Sequence, residues 1–147
     1  MTAPRSVVGS FSQSYPQLRC SVSEARRAVT AFARECGFRG QELDDIELAV
    51  GEALANAFEH GHREAGSFEV AVRRDAYVLT VEVKDDGQGF ASSAGSGAAR
   101  PPAEALRGFG TFIMREVMDE VEYLERGTRV RLRKRFSAES VPGLRRA

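Results

Sequence analysis

Between Leu43 and Phe58 the apolar residues Leu43, Ile46, Val50, Ala53, Leu54, Ala57 and Phe58 recur at helical spacing, which gathers them onto one stripe of a helix. A stripe of that kind needs a second layer to bury it. The layer follows directly downstream. Phe68, Val70 and Val72 alternate with polar residues, as do Tyr77, Leu79, Val81 and Val83, and Asp75-Ala76 between the two runs predicts an antiparallel hairpin. Helix packed on sheet is therefore the architecture to expect.

The remaining segments extend that plan. Val7, Val8, Phe11 and Tyr15 precede Pro16 and predict a first strand. Ser21-x-x-Glu24 has the form of a capping box and predicts a helix start, with the helix running to about Cys36 and Gly37 and Gly40 separating it from the next. Gly61 and Gly66 end that second helix. From Ala91 to Arg107 the composition falls to Ala, Ser, Gly and Pro with little apolar bulk, as in a lid or binding loop. Gly108-Phe109-Gly110 then opens a helix through Phe112, Ile113, Val117 and Met118, and Val121 to Glu125 with Thr128 to Phe136 form a closing hairpin about Arg126-Gly127.

This succession predicts an α+β fold: a two-layer α/β sandwich whose mixed, mostly antiparallel sheet is covered on one face by helices. Residues 1–136 form the domain, with 91–107 as its lid, and 137–147 read as a flexible basic tail.

Composition narrows the function classes. A chain of 147 residues fits one domain. Lys and Arg total 21, as do Asp and Glu, so no global field selects nucleic acid or an anionic membrane as partner. Cys20 and Cys36 lack the paired spacing of a zinc site and read as reduced thiols. The first 14 residues lack the pattern of a secretory signal, and no apolar run approaches the roughly 20 residues that span a bilayer. The expectation is a cytoplasmic protein.

The chemistry gathers at two places. Glu52, Asn56 and His60 stand four residues apart and share one helix face beside the apolar stripe. Alone, such a line is as well explained by a solvated face. Asn offers a neutral oxygen to a hard cation such as Mg2+, which keeps waters and is shared with substrate phosphates, and Glu one turn earlier could act as a base. His60 reads as a helix-end residue; His60 and His62, two apart, diverge and do not form a metal pair.

The second place is Asp85-Asp86-Gly87-Gln88-Gly89-Phe90, which closes the Val81/Val83 strand. A carboxylate at a strand end can accept from an adenine amino group, and the glycines let backbone approach a ligand. By itself this is also a tight turn. Gly108-x-Gly110, placed before a helix, would present free amides to phosphate oxygens or serve as an ordinary hinge, and Gly127-Thr128 is an ordinary hairpin turn unless its neighbours say otherwise.

Taken in order, Glu-x-x-x-Asn, Asp-x-Gly-x-Gly, Gly-x-Gly and Gly-Thr occur in the succession of the Bergerat (GHKL) ATP-binding fold, the histidine-kinase-like ATPase superfamily, which this chain resembles. Within it, GEALANAFEHG (51–61), VKDDGQGF (83–90), RGFGTFIMREVMDEVEY (107–123) and GTRVRLRK (127–134) are similar to the anti-sigma-factor serine kinases. The resemblance covers most of the chain.

It implies that Asn56 ligates Mg2+, Glu52 is the catalytic base, and Asp85 binds the adenine amino group in a pocket shaped by Gly87 and Gly89. Gly108 and Gly110 would meet the ATP phosphates, Arg107 would be a phosphate partner, and Thr128 would support the adenine side. It further implies transfer of the γ-phosphoryl group of ATP to a serine of a STAS-type anti-anti-sigma protein, sequestration of a sigma factor, and a homodimer.

Two other readings remain open at the level of sequence. One is a nucleotide-dependent regulatory binding module with little kinase activity. The other is a histidine-kinase catalytic domain, against which Glu52 argues, since a serine hydroxyl needs a base and a neutral imidazole does not. Arg129, Arg131, Arg133 and Arg135 lie at period two on one sheet face, with Val130, Leu132 and Phe136 opposite. A solvated outer face accounts for them without nucleic acid.

Overall fold

The strand alternation sorts every β residue onto one of two faces, and the cross-strand register keeps that sorting intact. The computed structural model describes residues 9–60, 66–87 and 102–136. Five strands, β1 (Gly9–Pro16), β2 (Ser67–Arg74), β3 (Val78–Asp85), β4 (Glu120–Leu124) and β5 (Arg129–Arg135), form one sheet in the order β1-β2-β3-β5-β4. All four pairings are antiparallel, so the sheet is uniform where a mixed one was expected. Because β5 inserts between β3 and β4, the strand ending at Asp85 lies beside the one that follows Thr128.

Val70 pairs with Val83, Val72 with Val81, Val81 with Leu132 and Val83 with Val130, which places one apolar sheet face under the helices. Three helices cover it: α1 (Arg19–Cys36), α2 (Gly40–His60) and α3 (Pro102–Val117). Central α2 packs on both α1 and α3 and on β3. Its stripe is buried as the spacing requires, with Ile46, Ala49, Val50 and Leu54 fully inaccessible against Phe68, Leu79, Val81, Leu132 and Met114. Burying a Leu or Ile side chain of this kind is worth about 2 kcal/mol, so the helix is held by its packing.

Helix ends depart from the motif reading in two places. The α1 N-cap is Leu18, with no side-chain cap, and Ser21 lies inside the helix, buried with its hydroxyl unpartnered. Ser21-x-x-Glu24 is therefore not the capping box its spacing suggests. The Ser21 amide already bonds the Leu18 carbonyl at 3.0 Å, so the helix has begun a turn earlier.

At the other end Gly37 adopts φ 117°, and the Phe38 amide returns to the Ala33 carbonyl at 3.1 Å. This is a Schellman stop, and only glycine takes that backbone without strain.

α3 begins at Pro102, so Gly108 and Gly110 stand within the helix rather than before it, and 102–107, expected as the end of a lid, are helical. Proline suits a first helical turn, and Ala103-Glu104-Ala105-Leu106-Arg107 are strong helix formers. Residues 91–101 of the expected lid, Val7, Val8, and the 137–147 tail lie outside the described residues.

Facing away from the helices, the arginine strip of β5 is matched by acids from both neighbours. Arg131 bonds Glu82 at 2.8 Å and Glu122 at 3.4 Å, Arg129 meets Glu82 and Glu125, and Arg133 and Arg135 both reach Glu120. The strip is one side of a mixed-charge ladder. Lys134, of opposite parity, points to the helices instead, and its ammonium donates to the Val117 carbonyl at the end of α3.

Candidate functional site

Asn56 lies in the last turns of α2, and the chain's first strand fixes that end of the helix. Gln17, just beyond β1, donates from Nε2 to the carbonyls of Ala57 at 3.1 Å and Phe58 at 2.6 Å. Carbonyls at a helix C-terminus have no partner within the helix, so Gln17 satisfies two of them and pins the turn that carries Asn56. Sequence reading passed over Gln17, because a glutamine after Pro16 carries no local signal of a contact forty residues away.

Across the helix layer, α3 crosses Asn56 and Glu52 with its backbone. A β-carbon built on Gly110 would stand 3.0 Å from Glu52 Oε1, 3.6 Å from Asn56 Nδ2 and 3.9 Å from Asn56 Oδ1. Glu-x-x-x-Asn and the second glycine of Gly-x-Gly thus meet at one point. Asn56 Nδ2 is buried without a hydrogen-bond partner. A buried, unpaired amide costs about 1–3 kcal/mol, a cost that a bound group would relieve.

Beside Asn56 opens a small cleft, lined by Ala53, Asn56, Ala57, Val83, Asp85, Tyr123, Gly127, Thr128 and Val130. Its floor is the apolar sheet face. Asp85 ends β3 at its edge, buried to 6 % exposure, with Oδ1 accepting from the Gly87 amide at 2.8 Å. The Asp85 amide in turn donates to the Thr128 carbonyl at 2.8 Å, which brings Asp-x-Gly and Gly-Thr side by side.

Neighbouring Asp86 turns the other way and accepts from the Ser67 amide at 3.0 Å in an exposed position. Strand parity separates the two aspartates.

The Gly-Thr side of the cleft is a tight left-handed turn. Glu125 (φ 52°), Arg126 (φ 61°) and Gly127 (φ 88°) follow one another in that conformation, which costs non-glycine residues free energy. Glu125 carries ion pairs to Lys84 and Arg129 that hold it, and its carbonyl accepts from both the Thr128 amide and the Thr128 hydroxyl.

Glu52 also borders a shallow groove between α1 and α2, lined by Val22, Arg26, Asp44, Glu47, Leu48, Gly51 and Ala55. Glu52 thus borders both this groove and the Gly110 contact.

Of the residues singled out in the sequence, Glu52, Asn56, Asp85, Gly87, Gly110 and Thr128 fall into this one region. Gly108 and Arg107 lie in α3 a turn or less before Gly110. Gly89 and the side chains of Arg107 and His60 are outside the described residues. Sequence reading missed Tyr123, whose ring lines the cleft and whose hydroxyl lies 2.6 Å from Thr111 Oγ1. Its inward parity beside Val121 was the available signal.

A family model for the histidine kinase-like ATPase domain matches residues 16–134. The chain belongs to that family. Within this ATPase family, an anti-sigma F factor of Clostridium acetobutylicum is 33% identical over 124 residues, covering 78% of this chain and 85% of the relative. The serine-protein kinase RsbW of Oceanobacillus iheyensis is 30% identical over 110 residues, covering 69% and 70%, and that of Listeria innocua 28% over 130 residues, covering 82% and 83%. Among solved structures, the SiaB-SiaC complex from Pseudomonas aeruginosa shares the fold at a TM-score of 0.54 and 16% identity, with 90% of each chain covered.

Among the described residues no three acidic, His or Cys side chains cluster as a metal cage. A Mg2+ ion shared with substrate phosphates needs no such cage. The ion takes one or two protein oxygens and completes its shell with phosphates and water, and the buried Asn56 amide, whose oxygen and nitrogen exchange by a flip, offers one.

No helix among the described residues is long and apolar enough to cross a membrane.

Proposed function

We propose that this protein is an ATP-dependent protein-serine kinase and anti-sigma factor, which phosphorylates a STAS-type anti-anti-sigma partner and sequesters a sigma factor. The observation that carries the reading is the convergence of Glu52 and Asn56 on Gly110 beside the Asp85/Thr128 cleft. Relatives named anti-sigma F factor and serine-protein kinase support it.

In this reading adenine enters the cleft with its amino group on Asp85, between Gly87 and Gly89 on one side and Thr128 on the other. Gly108, Gly110 and Arg107 serve the phosphates. Asn56 holds Mg2+, which when bound neutralises phosphate charge. Glu52 takes the proton of the partner's serine as its Oγ bonds to the γ-phosphorus and the bond to the bridging oxygen breaks, releasing ADP. The α1/α2 groove gives that serine an approach to Glu52 separate from the nucleotide. Catalysis rests on position and charge, as in phosphoryl transfer generally.

Residues 1–136 act as the ATPase domain, with 91–107, helical from Pro102, as its lid and 137–147 as a basic tail, in a cytoplasmic homodimer. β1, an edge strand with one partner in the sheet, supplies a surface for the second copy.

Labelled ATP offered with a panel of STAS proteins tests the proposal. Phosphoserine should form with the wild type and vanish in Glu52→Ala, while that variant still binds nucleotide. Partner binding without any transfer would convert the reading to a regulatory binding module.

A further inference from the structure

We infer that Tyr123 is a positioning residue that links the two ends of the nucleotide site, its ring serving the base and its hydroxyl the phosphates; the inference rests on the nucleotide reading of the cleft. Tyr123 pairs with Val130 on β5, whose other neighbour is Val83 on β3, so its ring stands on the sheet floor facing the helices. There it shares the cleft with Asp85, Thr128 and Asn56. An aromatic ring at that place offers a planar base an apolar face.

The hydroxyl reaches the helix layer, 2.6 Å from Thr111 Oγ1. Thr111 follows Gly110, the residue on which a β-carbon would meet Glu52 and Asn56. Farther along, α3 is fixed by buried Met114 and by Lys134 on the Val117 carbonyl. Around Gly110 the helix turns Phe109 and Phe112 outward, 73 % and 61 % exposed, and its inward side carries Gly110 and Thr111. The Tyr123–Thr111 bond therefore anchors the turn of α3 that must keep its place over the base and the metal ligand. A base resting on the ring and a γ-phosphate under Gly110 are then read by one side chain.

Two substitutions separate the ring from the tether. Tyr123→Phe keeps the ring and removes the hydroxyl; Thr111→Val removes the partner at the far end. Each should leave MgADP affinity close to the wild type while lowering MgATP affinity roughly three- to tenfold, the scale of one net hydrogen bond. Each should also lower kcat for phosphoserine formation more than it raises KM for ATP. The double variant should be no worse than either single one, because both remove the same bond.

Equal loss of MgADP and MgATP affinity, an unchanged ATP-to-ADP ratio, or additive effects in the double variant would overturn the inference and leave the kinase reading standing. A wild type that binds neither nucleotide would overturn both. Should Tyr123→Phe fail to fold by thermal unfolding, Thr111→Val carries the test, since it leaves the sheet floor intact.

Discussion

Gly110 and Glu52 are in contact distance across two helices: a β-carbon on Gly110 would lie 3.0 Å from Glu52 Oε1. Alanine at 110 would improve helix propensity by about 1 kcal/mol, because the position is in the interior of α3. Its methyl group would nevertheless displace the Glu52 carboxylate and crowd Asn56. Gly110→Ala should therefore fold with an unchanged or raised Tm while losing at least about tenfold in phosphoryl-transfer rate, given the sensitivity of such reactions to sub-ångström placement. Thermal unfolding beside a labelled-phosphate assay checks both halves. A variant with full transfer would remove Glu52 from the reacting site.

Asp85 and Asp86 provide a paired control within one turn. Asp85 lies at the buried edge of the cleft, whereas exposed Asp86 accepts the Ser67 amide on the outer side. In the proposed site, exchanging a carboxylate for an amide at Asp85 would put a donor in place of the acceptor that meets the adenine amino group. Asp85→Asn should weaken MgATP binding by about tenfold or more, on the scale of a charged hydrogen bond, and Asp86→Asn should leave it nearly unchanged. Fluorescent-nucleotide titration of the two variants decides it, and equal effects would undo the assignment.

The site was legible in the sequence where spacing alone places residues and illegible where tertiary register does. Four-residue spacing put Glu52 and Asn56 on one helix face, and its place as the first residue of Asp-x-Gly-x-Gly set Asp85 apart from Asp86. Gly108-x-Gly110 was read as a helix start, because glycines outweighed the helix-forming run from Ala103 to Arg107 that carries α3 back to Pro102. That Gly110 opposes Glu52 depends on how α3 crosses α2, which no local pattern encodes. The partners of the β5 arginines, expected on a solvated outer face, were hidden for the same reason. Their acids sit on β3 and β4 and in the Glu125 turn, and the pairing emerges only once β5 is inserted between those strands.

Lys134 should behave as a structural clamp distant from the nucleotide. Its ammonium, nearly buried on the helix side of the sheet, donates to the Val117 carbonyl at 2.5 Å and lies 3.6 Å from Asp45 Oδ2. A cation at the end of α3 complements the helix dipole and satisfies a terminal carbonyl. Lys134→Met should lower unfolding free energy by about 1–2 kcal/mol, from loss of that interaction with the apolar stem preserved. Urea unfolding measures it. MgATP affinity should stay as in the wild type, because Asp45 and Asn56 lie at opposite ends of α2.

Glu82 makes stability depend on acid pH through the outer face of the sheet. Burial alone would raise its pKa, but the Arg131 hydrogen bond, with the charges of Arg131, Arg129 and Arg73, holds it below the ordinary glutamate value. A carboxyl whose pKa is lower in the folded than in the unfolded chain contributes stability above the unfolded value and loses it as pH falls through the folded one. Glu82→Gln should therefore be less stable than the wild type by about 1 kcal/mol near neutrality, the upper scale for ion pairs open to water, while Arg131 keeps Glu122 and Arg129 keeps Glu125. The gap should narrow as pH falls below the ordinary glutamate range and close once the wild-type carboxyl takes up its proton in the folded state. Paired urea titrations of the two proteins across that range measure the gap directly, and a difference that persisted unchanged into acid would place the effect in packing instead of charge.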